Sequence, residues 1–206
     1  NFDAILSTIQ ADQAWTLEQQ ISICQIPAPP FKEKARGEEY ARRLTSLGLV
    51  DVRIDSEGNV ISRWPGSSAP KPLIVFSAHL DTVFPEGMDV TVRRDGDKLR
   101  GLGMGDDCRG LASVLSVARA FQKHKATVPG TILFVATVGE EGQGDLRGVR
   151  HLFTRELKGQ VDAFISVDGT GLSMVTRAVG SNRYLVTYKG RGGHSYGAFG
   201  MPNPAH

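Results

Sequence analysis

Three short apolar runs constrain this chain more than any other feature: "PLIVFSAH" at 72–79, "GTILFVATVGEE" at 130–141 and "VDAFISVDG" at 161–169. The first two are mostly apolar instead of alternating, the pattern of a strand covered on both faces, and the third is a further apolar strand. Between the first two, Leu111, Val114, Leu115, Ala118 and Phe121 repeat at helical spacing and mark one face of a helix beginning near Asp107. Between the second and third, "DLRGVRHLFTREL" reads as another helix. Strand, helix, strand, helix, strand in this order predicts an α/β domain with a mixed, largely parallel sheet between helices.

The flanks add smaller pieces. "AWTLEQQISICQI", stopped by "PAPP", and "EKARGEEYARRLTSLGL" are two opening helices. "VDVRID" and "VISRW" pair as a hairpin around "SEGN", and "DVTVRRDGDKLRG" as another with its turn at Asp95-Gly96. After Gly180 the texture changes, and "NRYLVTYKGRGGHSYGAFG" reads as a polar-faced strand running into a glycine-rich loop. A domain boundary is therefore expected between residues 1–180 and 181–206. The chain begins at Asn1 without an initiator methionine, which leaves a removed export signal open, and stops at "MPNPAH" where a new element is starting. A C-terminally truncated fragment is the expectation.

Charge and cysteine content exclude some classes. With 24 basic and 22 acidic residues and no basic block, a dense phosphate-binding surface is not expected. No apolar run approaches the roughly 20 residues of a membrane helix. Cys24 and Cys108 are too few and too far apart for a disulfide framework, and both read as core residues; His124 and His151 read as helix-surface residues.

The chemistry gathers where the strands end, which is where open α/β sheets bind ligands. The first run ends in His79 and Asp81, the second in Glu140 and Glu141, the third in Asp168, and Asp106-Asp107 opens the intervening helix. Residues two apart on a strand share a face, so His79 and Asp81 leave the core together. Taken singly, each feature has an ordinary alternative: a polar turn, a solvated turn, a helix N-cap with a first-turn acid. Their recurrence at successive strand ends favours a metal site. Converging carboxylates repel one another unless a cation compensates, and one histidine with several carboxylates and no thiolate suits zinc, manganese or cobalt. The carboxylates exceed what one tetrahedral ion uses, which favours two metals sharing a bridging aspartate. "GLGMGD" is not a dinucleotide loop, because Asp106 stands where its third glycine would be.

At these residues the chain resembles the co-catalytic zinc hydrolases that include peptidase T, carnosinase, aminoacylase, bacterial glutamate carboxypeptidase and succinyl-diaminopimelate desuccinylase. The matching segments are "SAHLDTV", "GLGMGDDCRGLAS", "VGEEGQGDLRG", "SVDGTG" and "KGRGGHSYGAFGMPNPAH", in the family's order. Asp168-Gly169 and the "GHSYGAFG" loop lean towards the peptidase T-like branch, while Cys108 and Arg109 depart from the commoner residues after the paired acids. The resemblance implies that His79 and Asp168 hold one zinc, Asp106 bridges two, and Glu141 holds the second. It implies that Asp81 orients His79 and that Glu140 is the general base. His194, in the smaller domain, would stabilise the oxyanion, often in a partner subunit's site. The family's last histidine ligand has no match; His206 lies too early, in the "NPAH" lid segment. Residues 1–180 would be the N-terminal part of a catalytic domain and 181–206 the beginning of an α+β lid and dimerisation domain.

The implied activity is hydrolysis of an amide bond in a small peptide, as in a tripeptide aminopeptidase, by a cytoplasmic homodimer. An N-acyl-amino-acid deacylase or desuccinylase is the alternative within the family. A non-catalytic binding relative and an inactive fragment are the others.

Overall fold

The computed structural model describes residues 2–169, 171–194 and 196–201; His206 lies outside them. The chain divides into two compact units, residues 1–171 and 172–206. The change of sequence texture lies further on, at 180.

The first unit opens with helices α1 (Phe2–Ala11), α2 (Gln13–Cys24) and α3 (Lys34–Ser46). Strands β1 (Val50–Ile54), β2 (Val60–Arg63) and β3 (Leu73–His79) follow, then a two-stranded ribbon of β4 (Arg93–Asp95) and β5 (Lys98–Arg100). Helix α4 (Cys108–His124), β6 (Thr131–Thr137), the short α5 (Arg147–His151) and β7 (Ala163–Ser166) complete it. The five-stranded sheet has the order β1-β2-β6-β3-β7. β3 runs parallel to both β6 and β7, and β1 and β2 add an antiparallel edge. This is the expected mixed sheet between helices, with its three parallel strands adjacent.

Alternation along the strands builds the two cores. Val75 of β3 and Leu133 and Val135 of β6 face Leu152 and Leu157 beyond α5. Ala78, Phe134 and Ala136 point the other way, against Tyr40 and Leu44 of α3 and Leu111, Val114, Leu115 and Ala118 of α4. β3 and β6 thus fill both layers, which is why they are mostly apolar, whereas β7, at the sheet's edge, is largely exposed, with Ile165 at 47%.

Four details differ from the sequence expectation. α1 was not foreseen, although Phe2, Ile5, Leu6 and Ile9 have helical spacing. The ribbon turns at Gly96-Asp97, one residue later than expected, with Asp95 paired to Lys98. "DLRGVRHLFTREL" forms α5 and then a π-helical turn over Leu152–Glu156. In the second unit no strand forms among the described residues of "NRYLVTYKG", which are exposed.

Candidate metal centre

The parallel strands carry the site at their C-terminal ends. His79 is the last residue of β3, in register with Thr137 of β6. The ladder continues one step further on each side: Leu80 N–H donates to Thr137 O (2.7 Å) and Val167 N–H to Ser77 O (2.8 Å). These bonds fix where Glu140, Glu141 and Asp168 leave the sheet.

The Asp106-Asp107 pair divides its work. A cis peptide joins the two residues. Asp107 is the N-cap of α4, its Oδ1 accepting from Gly110 N–H at 2.9 Å, while its Oδ2 accepts from His79 N–H at 2.9 Å. One buried carboxylate therefore ties the start of α4 to the end of β3. Gly110 permits the approach: a Cβ there would lie 2.0 Å from Asp107 Oδ1 and 2.3 Å from Val167 O. Asp106 is left free, with 60% of its side chain exposed, and its Oδ1 lies 2.8 Å from His79 Nε2. The helix cap thus falls to Asp107, and Asp106 is the member of the pair that faces His79.

His79, Asp106 and Asp168 each offer a ligand atom, all within 4.8 Å of one another, and so do His79, Glu140 and Glu141. The two groups share the imidazole. Asp168 Oδ1 is 4.0 Å from His79 Nε2. The expected residues His79, Asp106, Glu140, Glu141 and Asp168 are thus together. Asp81 stands at the other ring nitrogen: Nδ1 lies 3.0 Å from its carbonyl oxygen and 3.6 Å from its Oδ1. The Asp81 carboxylate instead accepts from Glu140 N–H (3.1 Å) and Glu141 N–H (2.8 Å). This clamp on the glutamate pair was not foreseen, because local spacing around His79 carries no sign of a partner some 60 residues on. His194 lies in the second unit, exposed, with Nδ1 facing the N–H groups of Tyr196 (3.3 Å) and Gly197 (3.4 Å).

A third group, Asp55, His151 and Glu156, is already compensated. Asp55 accepts from the backbone N–H groups of Glu57, Gly58 and Asn59 and from the Asn59 amide, and Glu156 accepts from Arg53 at 2.8 Å. His151, with 18% of its side chain exposed, is more enclosed than a plain helix-surface residue. Cys24 and Cys108 are buried.

Excess negative charge sets the electrostatics. Burial pulls the His79 imidazole down, but Asp81, Asp107 and Asp106 outweigh it and raise it to about 10. Burial raises Asp107 to about 8, with His79 opposing and Asp168 adding. Burial and neighbouring carboxylates raise Glu140 and Glu141 as well. Asp81 goes the other way: burial would raise it, yet His79 and the Glu141 and Glu140 N–H groups hold it low. A site that retains a proton on a buried imidazole among carboxylates has the donor set and the charge for a divalent cation.

The same shifts give a prediction for the metal-free chain. His79 is raised from 6.5, so its contribution to stability is complete below about pH 6.5 and lost as pH rises through about 10. Asp107 is raised from 3.8, so the folded state also loses ground between about pH 4 and 8. In chelator, the thermal midpoint should fall steadily from pH 6 to 10. A midpoint that rises over that range would contradict this electrostatic description.

Among the described residues no helix is long and apolar enough to cross a membrane. The sequence model of Peptidase family M28 matches residues 59–192. Succinyl-diaminopimelate desuccinylase of Herminiimonas arsenicoxydans is 34% identical over 106 residues, 48% of this chain and 28% of that protein. Of solved structures, human carnosine dipeptidase 1 has a TM-score of 0.69 at 17% identity, covering 84% of this chain and 42% of that one. Aminopeptidase PepT from Bacillus cereus ATCC 10987 has a TM-score of 0.62 at 24% identity, covering 76% and 43%. At these identities the structural likeness is one of fold. The chain spans less than half the length of each of these relatives.

Proposed function

This chain belongs to peptidase family M28, and from that premise we propose that it carries the greater part of a two-zinc site hydrolysing an amide bond in small peptides, in the manner of a tripeptide aminopeptidase. The observation that supports this most is the pair of ligand groups sharing His79 at the ends of three adjacent parallel strands. In this reading His79, Asp106 and Asp168 hold one zinc, and Asp106 with Glu141 holds the second. Bound zinc would supply Lewis acidity and charge compensation at the scissile carbonyl.

The remaining chemistry belongs to side chains. Glu140 takes a proton from the attacking water and returns it to the leaving amine; its raised carboxyl is a stronger base near neutral pH than an ordinary glutamate. Asp81, bonded to both glutamate amides, keeps the base and the ligand beside it in register. His194 would serve as the oxyanion donor: with Nδ1 accepting from two backbone amides, the proton of the neutral ring sits on Nε2, the form that donates. A cytoplasmic homodimer built through the segment after residue 180 completes the proposal.

The desuccinylase similarity favours a second reading, cleavage of an N-acyl amino acid. A panel of tripeptides, dipeptides and N-acyl amino acids, run on the full-length protein, separates them. Tripeptide hydrolysis that chelation removes and zinc, cobalt or manganese restores is the expected result. Cleavage of N-acyl amino acids alone would favour the second reading, and hydrolysis indifferent to chelator would contradict both.

A further inference from the structure

Helix α5 begins with an arginine that packs against the backbone leading into the Glu140–Glu141 pair. Arg147 Nη2 donates to both oxygens of Glu33 (2.9 and 2.8 Å), and Nε lies 3.1 Å from Glu57 Oε1. Its Cζ sits 4.8 Å from the centroid of the Phe31 ring. Glu33 is buried, and its Oε1 also accepts from Phe31 N–H at 3.2 Å. The planar fork is thus fixed on three sides by groups from the loop before α3 and the β1–β2 turn.

The fourth side is the backbone that carries the site. A Cβ on Gly139 would lie 2.0 Å from Arg147 Nη1 and 3.0 Å from Cζ, so the guanidinium rests directly on that glycine. Gly139 has φ +65°, which side chains rarely adopt, and Glu140 and Glu141 follow it at once. Gly144 closes back on the same residue: a Cβ there would lie 2.5 Å from Gly139 Cα. Nη1 is buried with no hydrogen-bond partner among the described residues, so packing and not a further bond accounts for its place.

We propose that Arg147 is a positioning residue for Glu140 and Glu141, bracing the Gly139 backbone from which both are hung while Asp81 holds their amides. The inference rests on the reading of those two residues as base and zinc ligand. Lysine keeps the charge that Glu33 and Glu57 require but has neither the fork nor the flat face. Glu33→Gln keeps the shape of the carboxylate and loosens the fork without touching Gly139, where an added side chain would strain the φ +65° backbone by itself.

Backbone amide exchange on the metal-free chain tests the brace without any ion. In Arg147→Lys and in Glu33→Gln, exchange across residues 138–142 should accelerate by about tenfold or more, with residues 76–80 unchanged, because local opening is independent of the global reaction. In the full-length protein, the weaker of the two zinc equivalents should lose about tenfold in affinity, the scale of an outer support, while the tighter one is retained. Exchange unchanged at 138–142, or accelerated equally at 76–80, overturns the proposal; if Arg147→Lys does not fold, Glu33→Gln decides on the same two segments. Local acceleration with no second zinc equivalent present would keep the brace and defeat the two-zinc reading, so the two failures are distinct.

Discussion

Glu140→Gln will lower turnover by about 10²–10⁴-fold, the contribution of a positioned general base, and leave the zinc content unchanged. The amide has the shape of the carboxyl and keeps its backbone N–H on Asp81, so the Glu140–Glu141 loop stays where it is. It cannot accept a proton. The comparison is informative because Glu141, the next residue, shares the same clamp and the same upward shift. Loss of zinc in Glu140→Gln, with Glu141→Gln retaining it, would reverse the two assignments. Metal analysis beside kcat on both variants settles which carboxylate does which work.

His79→Ala has the larger effect on the metal itself. The imidazole is the one nitrogen donor to the first zinc in this reading, and 3% of its side chain is exposed, so no water readily takes its place. Removing a group that merely supports a ligand costs about 10–100-fold in metal affinity, and removing the ligand should exceed that. Titration calorimetry should show zinc binding weakened beyond about 100-fold. Asp168→Ala, which removes a carboxylate 39% exposed whose place water can take, should do less. Equal and small losses in the two variants would mean that the ion is held elsewhere.

The sequence displays the sheet and the site unequally. The three parallel strands are legible because apolar runs of strand length bounded by turn residues mark strands, although β7 is largely exposed, and their ends then nominate His79, Glu140, Glu141 and Asp168. The division of labour between Asp106 and Asp107 is not legible: two identical side chains adjoin, and only the fold decides that Asp107 turns inward to cap α4 and hold the His79 amide. The Asp81 clamp and the Arg147 brace are hidden for another reason. Both join residues far apart in the chain, and no local period marks them. α1 is a different case, since Phe2, Ile5, Leu6 and Ile9 were in view and the opening residues simply precede any start signal.

The most direct test is to crystallise this chain with zinc and collect anomalous diffraction at the zinc edge. The account predicts a peak about 2.0–2.2 Å from His79 Nε2, with Asp106 and Asp168 oxygens in the same coordination sphere, and with Asp107 outside it, still capping α4. A peak elsewhere on the chain, with the ends of β3, β6 and β7 empty, would contradict the account.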